Sequence, residues 1–194
     1  VLMEHSRFHA ASLGAPAHPT LLQALSHWQD EPGLALDLGC GSGRDSLELL
    51  RNGWAVQAID RDADALRLLR DQAPEAHRAR LETRQAGFES LVLPTAQLVN
   101  ASFALPFCAA PVFSRLWREI ESTLAAGGLF AGHLFGERDQ WRERGLTLHS
   151  REQAQALLGD WQVLQFEELE WQGRTALGRD KHWHLFAIVA RRRD

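Results

Sequence analysis

The sequence predicts an α/β fold: a mostly parallel sheet with helices on both faces, ending in an antiparallel hairpin. Three observations predict it. Strand-like and helix-like segments alternate along most of the chain, the pattern of a parallel sheet covered on both sides. A run of alternating glycines joins the first strand to a helix. Near the C-terminus, two long strand candidates are separated only by the turn-rich Gln172-Gly173-Arg174-Thr175. That stretch leaves no helix for a parallel crossover, so the two strands pair antiparallel.

The elements follow in order. Leu21, Leu22, Leu25 and Trp28 share a helical face, with Pro19 near its start. Pro32-Gly33 breaks the chain, and Leu34–Leu38 is an apolar run of strand length. The spacing predicts a helix over about Arg44–Asn52, with Gly53 as its C′ residue. Trp54–Ile59 is the second strand, with Asp60 at its end. Asp62 caps a helix bearing Leu66 and Leu69 that stops before Pro74. Leu81–Gln85 and Gln97–Ala101 are further strands. Phe113, Leu116, Trp117, Ile120 and Leu124 recur at helical spacing, with Gly127-Gly128 as the expected stop. Leu129–Phe135 is a strand, and Ser150 with Gln153 forms a capping box before Ala154, Leu157 and Leu158. Trp161–Trp171 and His182–Ala190 make the hairpin. Both alternating sets of Trp183–Val189 are largely apolar, so the last strand is expected inside the sheet and its partner at the edge.

The 194 residues suit one domain spanning 1–194, with residues 1–30 as an N-terminal helical lid and 31–194 as the core. Apolar residues make up 45% and charged residues 24%, which excludes a disordered chain and a coiled coil. The net charge of −4 argues against a general grip on nucleic acid or anionic membrane. Arg191-Arg192-Arg193 reads as a solvated basic end. Leu91–Phe113 carries no charge and is long enough to span a bilayer. Pro94, Pro106 and Pro111 interrupt it, so it reads as a buried strand followed by an uncharged loop. Cys40 and Cys108 lie far apart, forming neither a disulfide framework nor a metal spacing. With no secretory leader visible in the first residues, the expected location is cytoplasmic.

The chemistry concentrates in Asp37-Leu-Gly39-Cys40-Gly41-Ser-Gly43-Arg44-Asp45. Glycines there permit positive φ and close approach of backbone to ligand. A dinucleotide fingerprint places its third glycine three residues after the second. Here the interval is two, and Arg44 stands where that fingerprint needs glycine. No triphosphate loop is present either. Asp60 ends the second strand 17 residues after Gly43, where an acidic side chain meets the hydroxyls of a ribose. Gly87-Phe88 follows the third strand, and Asn100-Ala101-Ser102-Phe103 ends the fourth.

On these residues the chain resembles the class I S-adenosylmethionine-dependent methyltransferases, whose first motif is D-x-G-x-G-x-G, over nearly its whole length. The run Gly43-Arg44-Asp45-Ser46 is most similar to small bacterial methyltransferases related to tellurite-resistance enzymes. The resemblance implies a Rossmann-like three-layer sandwich: a mostly parallel seven-stranded sheet, six strands parallel and one antiparallel, with an antiparallel C-terminal hairpin. It implies that S-adenosyl-L-methionine is the cofactor and S-adenosyl-L-homocysteine the product. Gly39, Gly41 and Gly43 would cradle the methionine part, Asp37 would orient the loop, and Asp60 would hold the ribose. Phe88, after Gly87, would border the adenine, and Asn100 and Ala101 would lie along the cofactor. Cys40, Arg44, Arg61 and Phe103 complete the candidate contacts. The fourth strand lacks the two prolines of the base-amino methyltransferases, which argues against DNA as acceptor.

The expected reaction is methyl transfer to a small-molecule or oxyanion acceptor, such as a tellurite- or selenite-type anion or a thiol. The alternatives are a non-catalytic S-adenosylmethionine-binding regulatory module and, against the glycine spacing, a nicotinamide-dependent reductase. An oxygen or amine acceptor needs a general base. The candidates are His133, His149, His182 and His184, with Arg7 on a lid meeting the acceptor. His182 and His184 share one strand face but have no apparent third metal ligand, so no metal is assigned. Trp141 is a candidate wall of the acceptor site.

Overall fold

The structure is a computed structural model that describes residue 11 and residues 13–193. Five strands run parallel: β1 (Leu34–Leu38), β2 (Ala55–Asp60), β3 (Leu81–Gln85), β4 (Ala96–Ala101) and β5 (Leu124–Gly136). A short β6 (Leu148–His149) pairs parallel with the end of β5. The hairpin consists of β7 (Trp161–Arg174) and β8 (Asp180–Arg192). The order is β3-β2-β1-β4-β5-β8-β7, with β8 antiparallel to both neighbours and β7 at the edge. Six strands of this path thus point one way and one points back, as the family resemblance implies.

The helices are α1 (Pro19–His27), α2 (Arg44–Arg51), α3 (Ala63–Gln72), α4 (Glu75–Arg78), α5 (Ala110–Thr123) and α6 (Arg151–Ala156). On one face, α1, α2 and α3 bury Leu21, Leu49, Leu50, Leu66 and Leu69 against Ala35, Val56, Leu98 and Ala131 of the sheet. On the other, α5 and α6 bury Phe113, Leu116, Ile120 and Ala154 against Leu36, Val99, Phe130 and Ile188. No helix among the described residues is long and apolar enough to cross a membrane. The uncharged stretch is β4 followed by a loop and the start of α5.

Strand parity decides what the site can contain. Side chains alternate between faces, and Asp37, Asn100 and Ala131 stand side by side in the ladder. Asp37, Asn100 and His133 therefore share the face that carries α1–α3. His133 pairs with Ala187, so the odd-numbered positions of β8 belong to that face too. His182 and His184 belong to the opposite one, with Phe186 and Ile188.

Three local expectations are corrected. The buried face of α1 is Thr20, Leu21 and Ala24, while Leu22 is exposed; Trp28 lies past the helix and meets Trp54 at 5.1 Å. Helix α5 ends at Thr123, because Leu124 is already extended. Gly127, at φ 75°, instead lets residues 125–128 slip the register against β4. The basic end is not simply solvated. The Arg191 guanidinium donates to the His27 carbonyl at 2.8 Å, and Arg192 donates to Leu124 at 2.6 Å and to the Glu121 carbonyl. Both side chains satisfy carbonyls left open at helix C-termini.

Gly43 caps α2 at φ 91°, and a Cβ there would lie inside the Leu69 side chain. Gly43→Ala should lose about 2–4 kcal/mol in urea unfolding, the left-handed penalty plus overpacking. Gly178→Ala, at φ 76° with open space around it, should lose only about 1–2 kcal/mol. Equal losses would remove packing as the reason for the glycine.

Candidate functional site

The glycine loop is held from below. The N–H groups of Gly39 and Cys40 donate to the Ile59 carbonyl at 2.8 and 3.1 Å, and Gly43 N–H donates to the Cys40 carbonyl at 3.0 Å. Gly41 N–H donates to Asp60 Oδ2 at 2.8 Å. A phosphate-binding loop must leave such N–H groups free for the ligand, and this loop spends them on itself and on β2. Gly39 and Gly43 are further explained by their neighbours, since a Cβ on Gly39 would lie 2.6 Å from Ala104 Cβ. The Phe88 ring edge is 3.5 Å from that same point, so this ring borders the loop.

Around the loop stand three carboxylates. Asp37, at the end of β1, accepts from the Ser46 hydroxyl at 2.5 Å and from the Asn100 amide at 2.9 Å. The same amide donates to Asp45 at 2.9 Å. Asp45 also takes the backbone N–H and the ring Nδ1 of His18, at 2.8 and 3.0 Å. Burial, with the Asp45 charge beside it, pushes Asp37 up to about 7. Burial acts upward on Asp45 as well, but the hydrogen bonds it accepts, those of His18 foremost, overcome it and hold the carboxyl at about 2. Asp60 also accepts from Asp62 N–H at 2.9 Å. It thus tethers the loop, and a carboxylate with two such bonds keeps lone pairs for a diol.

Above the carboxylates lie rings. His133 is buried, with Nε2 at 2.9 Å from the Thr20 hydroxyl and Nδ1 without a partner among the described residues. Burial drives its pKa down to about 3, so the ring is neutral. Phe103 stacks on it at 4.2 Å and meets His18 at 5.2 Å. Phe103 is the non-glycine residue at positive φ among the described residues, at 54°. Strain of this kind gathers at functional sites. Next to it, Phe135, Trp141 and Trp183 surround Lys181, whose ammonium lies 3.6 Å from the Trp183 ring centre. Lys181 donates to both Asp139 oxygens, at 2.7 and 2.5 Å, and both side chains are fully buried.

The predicted residues divide accordingly. Asp37, Gly39, Gly41, Gly43, Asp60, Phe88, Asn100, Phe103 and His133 come together. Cys40 is buried beside the loop, and burial with the Asp37 charge puts its thiol well above the usual range. The Arg44 guanidinium donates to the Pro16 carbonyl, through Nε at 2.7 Å, and pins the segment before α1 across the loop. Gly87 leads into the turn of Phe88–Ser90, and Arg61 lies exposed beyond β2. The Ala101 side chain is buried on the opposite face, in the core under α5.

His182 and His184 are not brought to this site. His182 bonds Gln172 and Glu170, each at 2.9 Å. His184 Nδ1 accepts from Arg138 N–H at 3.1 Å, and Nε2 meets Glu168 at 2.8 Å. His149 packs on Phe113 at 4.7 Å, and burial lowers it to about 4. Arg7 and its lid lie outside the described residues. Among those residues, no group of three His, Cys, Asp or Glu is placed to hold a metal. Sequence reasoning missed His18, Asp45 and the Lys181–Asp139 pair. Asp45 stood inside the motif as a signal, whereas the others depend on contacts distant in sequence.

The family model for a methyltransferase domain matches residues 35–128, which contain the loop, Asp60 and Asn100. That match spans 94 of the 194 residues, just under half of the chain. Its fold matches TehB from Haemophilus influenzae with a TM-score of 0.80 and 16% identity, over 91% of this chain and 63% of that one. It matches the 1,6-didemethyltoxoflavin-N1-methyltransferase of Burkholderia thailandensis, solved with 1,6-didemethyltoxoflavin and S-adenosylhomocysteine, with a TM-score of 0.66 and 18% identity, over 100% of this chain and 81% of that one. A stretch of 47 residues, 24% of this chain, is 47% identical to the ribosomal RNA small subunit methyltransferase C of Alcanivorax borkumensis, but covers only 14% of that protein. The chain thus spans under two thirds of TehB and a small part of the RNA enzyme.

The residues present fit an adenosyl sulfonium. A loop with its N–H groups already bonded and three carboxylates nearby suits a cationic, phosphate-free ligand. Asp60 would take the ribose hydroxyls, Asp37 and the loop the amino acid end, and Phe88 the adenine.

Two predictions follow from this geometry. Asp37 carries a raised pKa, so the folded state keeps a proton that the unfolded chain has lost. Its contribution is full below the unfolded value near 3.8 and fades as pH rises through about 7. Stability should therefore fall across that window by up to about 1.4 kcal/mol per pH unit, and Asp37→Asn should remove this slope in urea titrations. Lys181→Ala should cost about 3–5 kcal/mol by leaving Asp139 buried and unpaired. Lys181→Met combined with Asp139→Asn should recover most of that loss in the same assay.

Proposed function

We propose that the protein transfers the methyl group of S-adenosylmethionine to an uncharged small-molecule acceptor. The observation that carries this reading is the glycine loop, bonded internally and ringed by Asp37, Asp45 and Asp60. The bound cofactor supplies an activated methyl group on a cationic sulfur. The chain's own task is to hold a nucleophile in line at about 3–3.5 Å and to exclude water. Phe103, Trp141 and Trp183, packed on the buried Phe135, offer an apolar wall for that purpose.

Charge favours a neutral acceptor over a tellurite-type oxyanion. His133 is neutral, Lys181 is matched by Asp139, and Arg44 is committed to the Pro16 carbonyl. The likeness to TehB is one of fold, and the short match to an RNA enzyme meets a chain of net charge −4. Neither favours the corresponding substrate here. A cytoplasmic location accords with the two free cysteines.

Thermal unfolding with S-adenosylmethionine, S-adenosylhomocysteine and NADH tests the cofactor. The two adenosyl compounds at 100 times their dissociation constants should stabilise by about 2.7 kcal/mol, a shift of several degrees, and NADH should do nothing. Asp60→Ala should lose most of the adenosyl shift. An affinity within threefold of wild type in that variant would remove Asp60 from the ribose.

A further inference from the structure

We infer that His18, oriented by Asp45, is the general base of the reaction, and that the acceptor is therefore a protonated heteroatom nucleophile such as a thiol or hydroxyl. The inference rests on the methyltransferase reading above and adds to it a residue and a substrate class.

The geometry has the parts of a base and its orienter. Asp45 is buried and ionised, and it bonds both the backbone N–H and Nδ1 of His18. A carboxylate only accepts, so Nδ1 carries the ring proton and the Nε2 lone pair is left to act. Such a bond fixes tautomer and ring direction at once. Among the described residues, Nε2 makes no hydrogen bond, and the His18 side chain is 17% exposed. The ring is therefore accessible from outside while its other nitrogen is anchored inside.

Its surroundings place it at the reacting end. Through Asp45 and Asn100 it is tied to the carboxyl end of β4, where cofactor and acceptor meet in an open α/β sheet. Phe103 lies at 5.2 Å and His133 at 5.9 Å, so His18 forms one side of an aromatic recess. The groups facing it are Asp45 from α2, Phe103 after β4 and His133 from β5. Asp37 stands behind Asn100, and Arg44 holds the same segment two residues away at Pro16. His133 is a poor base in comparison: it is buried and bonded to Thr20 through Nε2.

The step balances. The acceptor's heteroatom forms its bond to the methyl carbon while the carbon–sulfur bond of the sulfonium breaks, and that electron pair remains on sulfur as a neutral thioether. The acceptor's proton passes to His18 Nε2, and Asp45 faces the resulting imidazolium.

Three measurements on the full chain test this. The first is S-adenosylhomocysteine affinity by calorimetry for wild type, His18→Gln and Asp45→Asn. If wild type does not bind, the methyltransferase reading fails and the base with it. If His18→Gln binds within threefold of wild type, His18 is not merely a latch over the cofactor; a loss above tenfold makes it one and overturns the proposal. The second is the His18 tautomer by nitrogen-15 NMR in the S-adenosylhomocysteine complex. A protonated Nδ1, lost in Asp45→Asn, is expected; a protonated Nε2 overturns the proposal even if no acceptor is turned over. The third uses methylation rates with 2-mercaptoethanol, catechol and 4-nitrothiophenol, the last already ionised at neutral pH. His18→Gln should slow the first two about 100-fold or more, abolish the rise of rate with pH, and leave the ionised thiol within threefold. Equal slowing of all three, or none, overturns the assignment.

Discussion

Three carboxylates folded around one glycine loop are the constraint on which the rest of this structure depends. The charges of Asp45 and Asp60 act against that of Asp37, and burial makes the Asp37 and Asp45 charges costly. The fold relieves the strain from several sides. Asn100 donates one amide to both Asp37 and Asp45, Ser46 donates to Asp37, and His18 covers Asp45. Gly41 and Asp62 N–H groups hold Asp60. These donors come from β4, α2, the segment before α1, the loop and the turn after β2. The negative site therefore exists only when those elements are docked, and the Asp37 proton is what remains of the conflict. The cationic cofactor proposed above would complete the neutralisation.

The local part of this arrangement was legible in the sequence. Asp37 with its glycines, Asp60 at a strand end and Asn100 at another are motifs that a strand-turn-helix pattern places on its own. The hairpin and the inner position of β8 were legible from apolar alternation. Register was not. Two-residue spacing correctly puts His182 and His184 on one face, but the pairing of His133 with Ala187 decides which face that is. His18 gave no signal, because its importance lies in an aspartate 27 positions away. Lys181 and Asp139 drew no reading for the same reason, since they lie 42 positions apart. Arg191 and Arg192 read as a solvated end, since nothing local tells that helix carbonyls await them.

The aromatic wall is built around a cation that carries no net charge to the site. Lys181 is enclosed by Phe135, Trp141 and Trp183, and Asp139 is further bonded by the backbone N–H groups of Trp141 and His184. A buried pair of this kind adds little net stability over an apolar core. Its effect is geometric: it fixes the end of β5, the turn after it and the start of β8 in one position. Phe103 leans against this body in a strained conformation, so the rigidity behind it maintains the strain in front.

Two residues carry double duties. Asp60 tethers the loop through Gly41 and, on the function proposed above, would also take the ribose, so loop shape and cofactor contact would share one carboxylate. Asp45 anchors the segment before α1 and orients the His18 ring, so one carboxylate fixes both. The ring proposed as the base is thus aligned by the same carboxylate that fixes the backbone of its segment, while Arg44 holds that segment again at Pro16. His133, buried and bonded to Thr20, has no carboxylate partner of this kind.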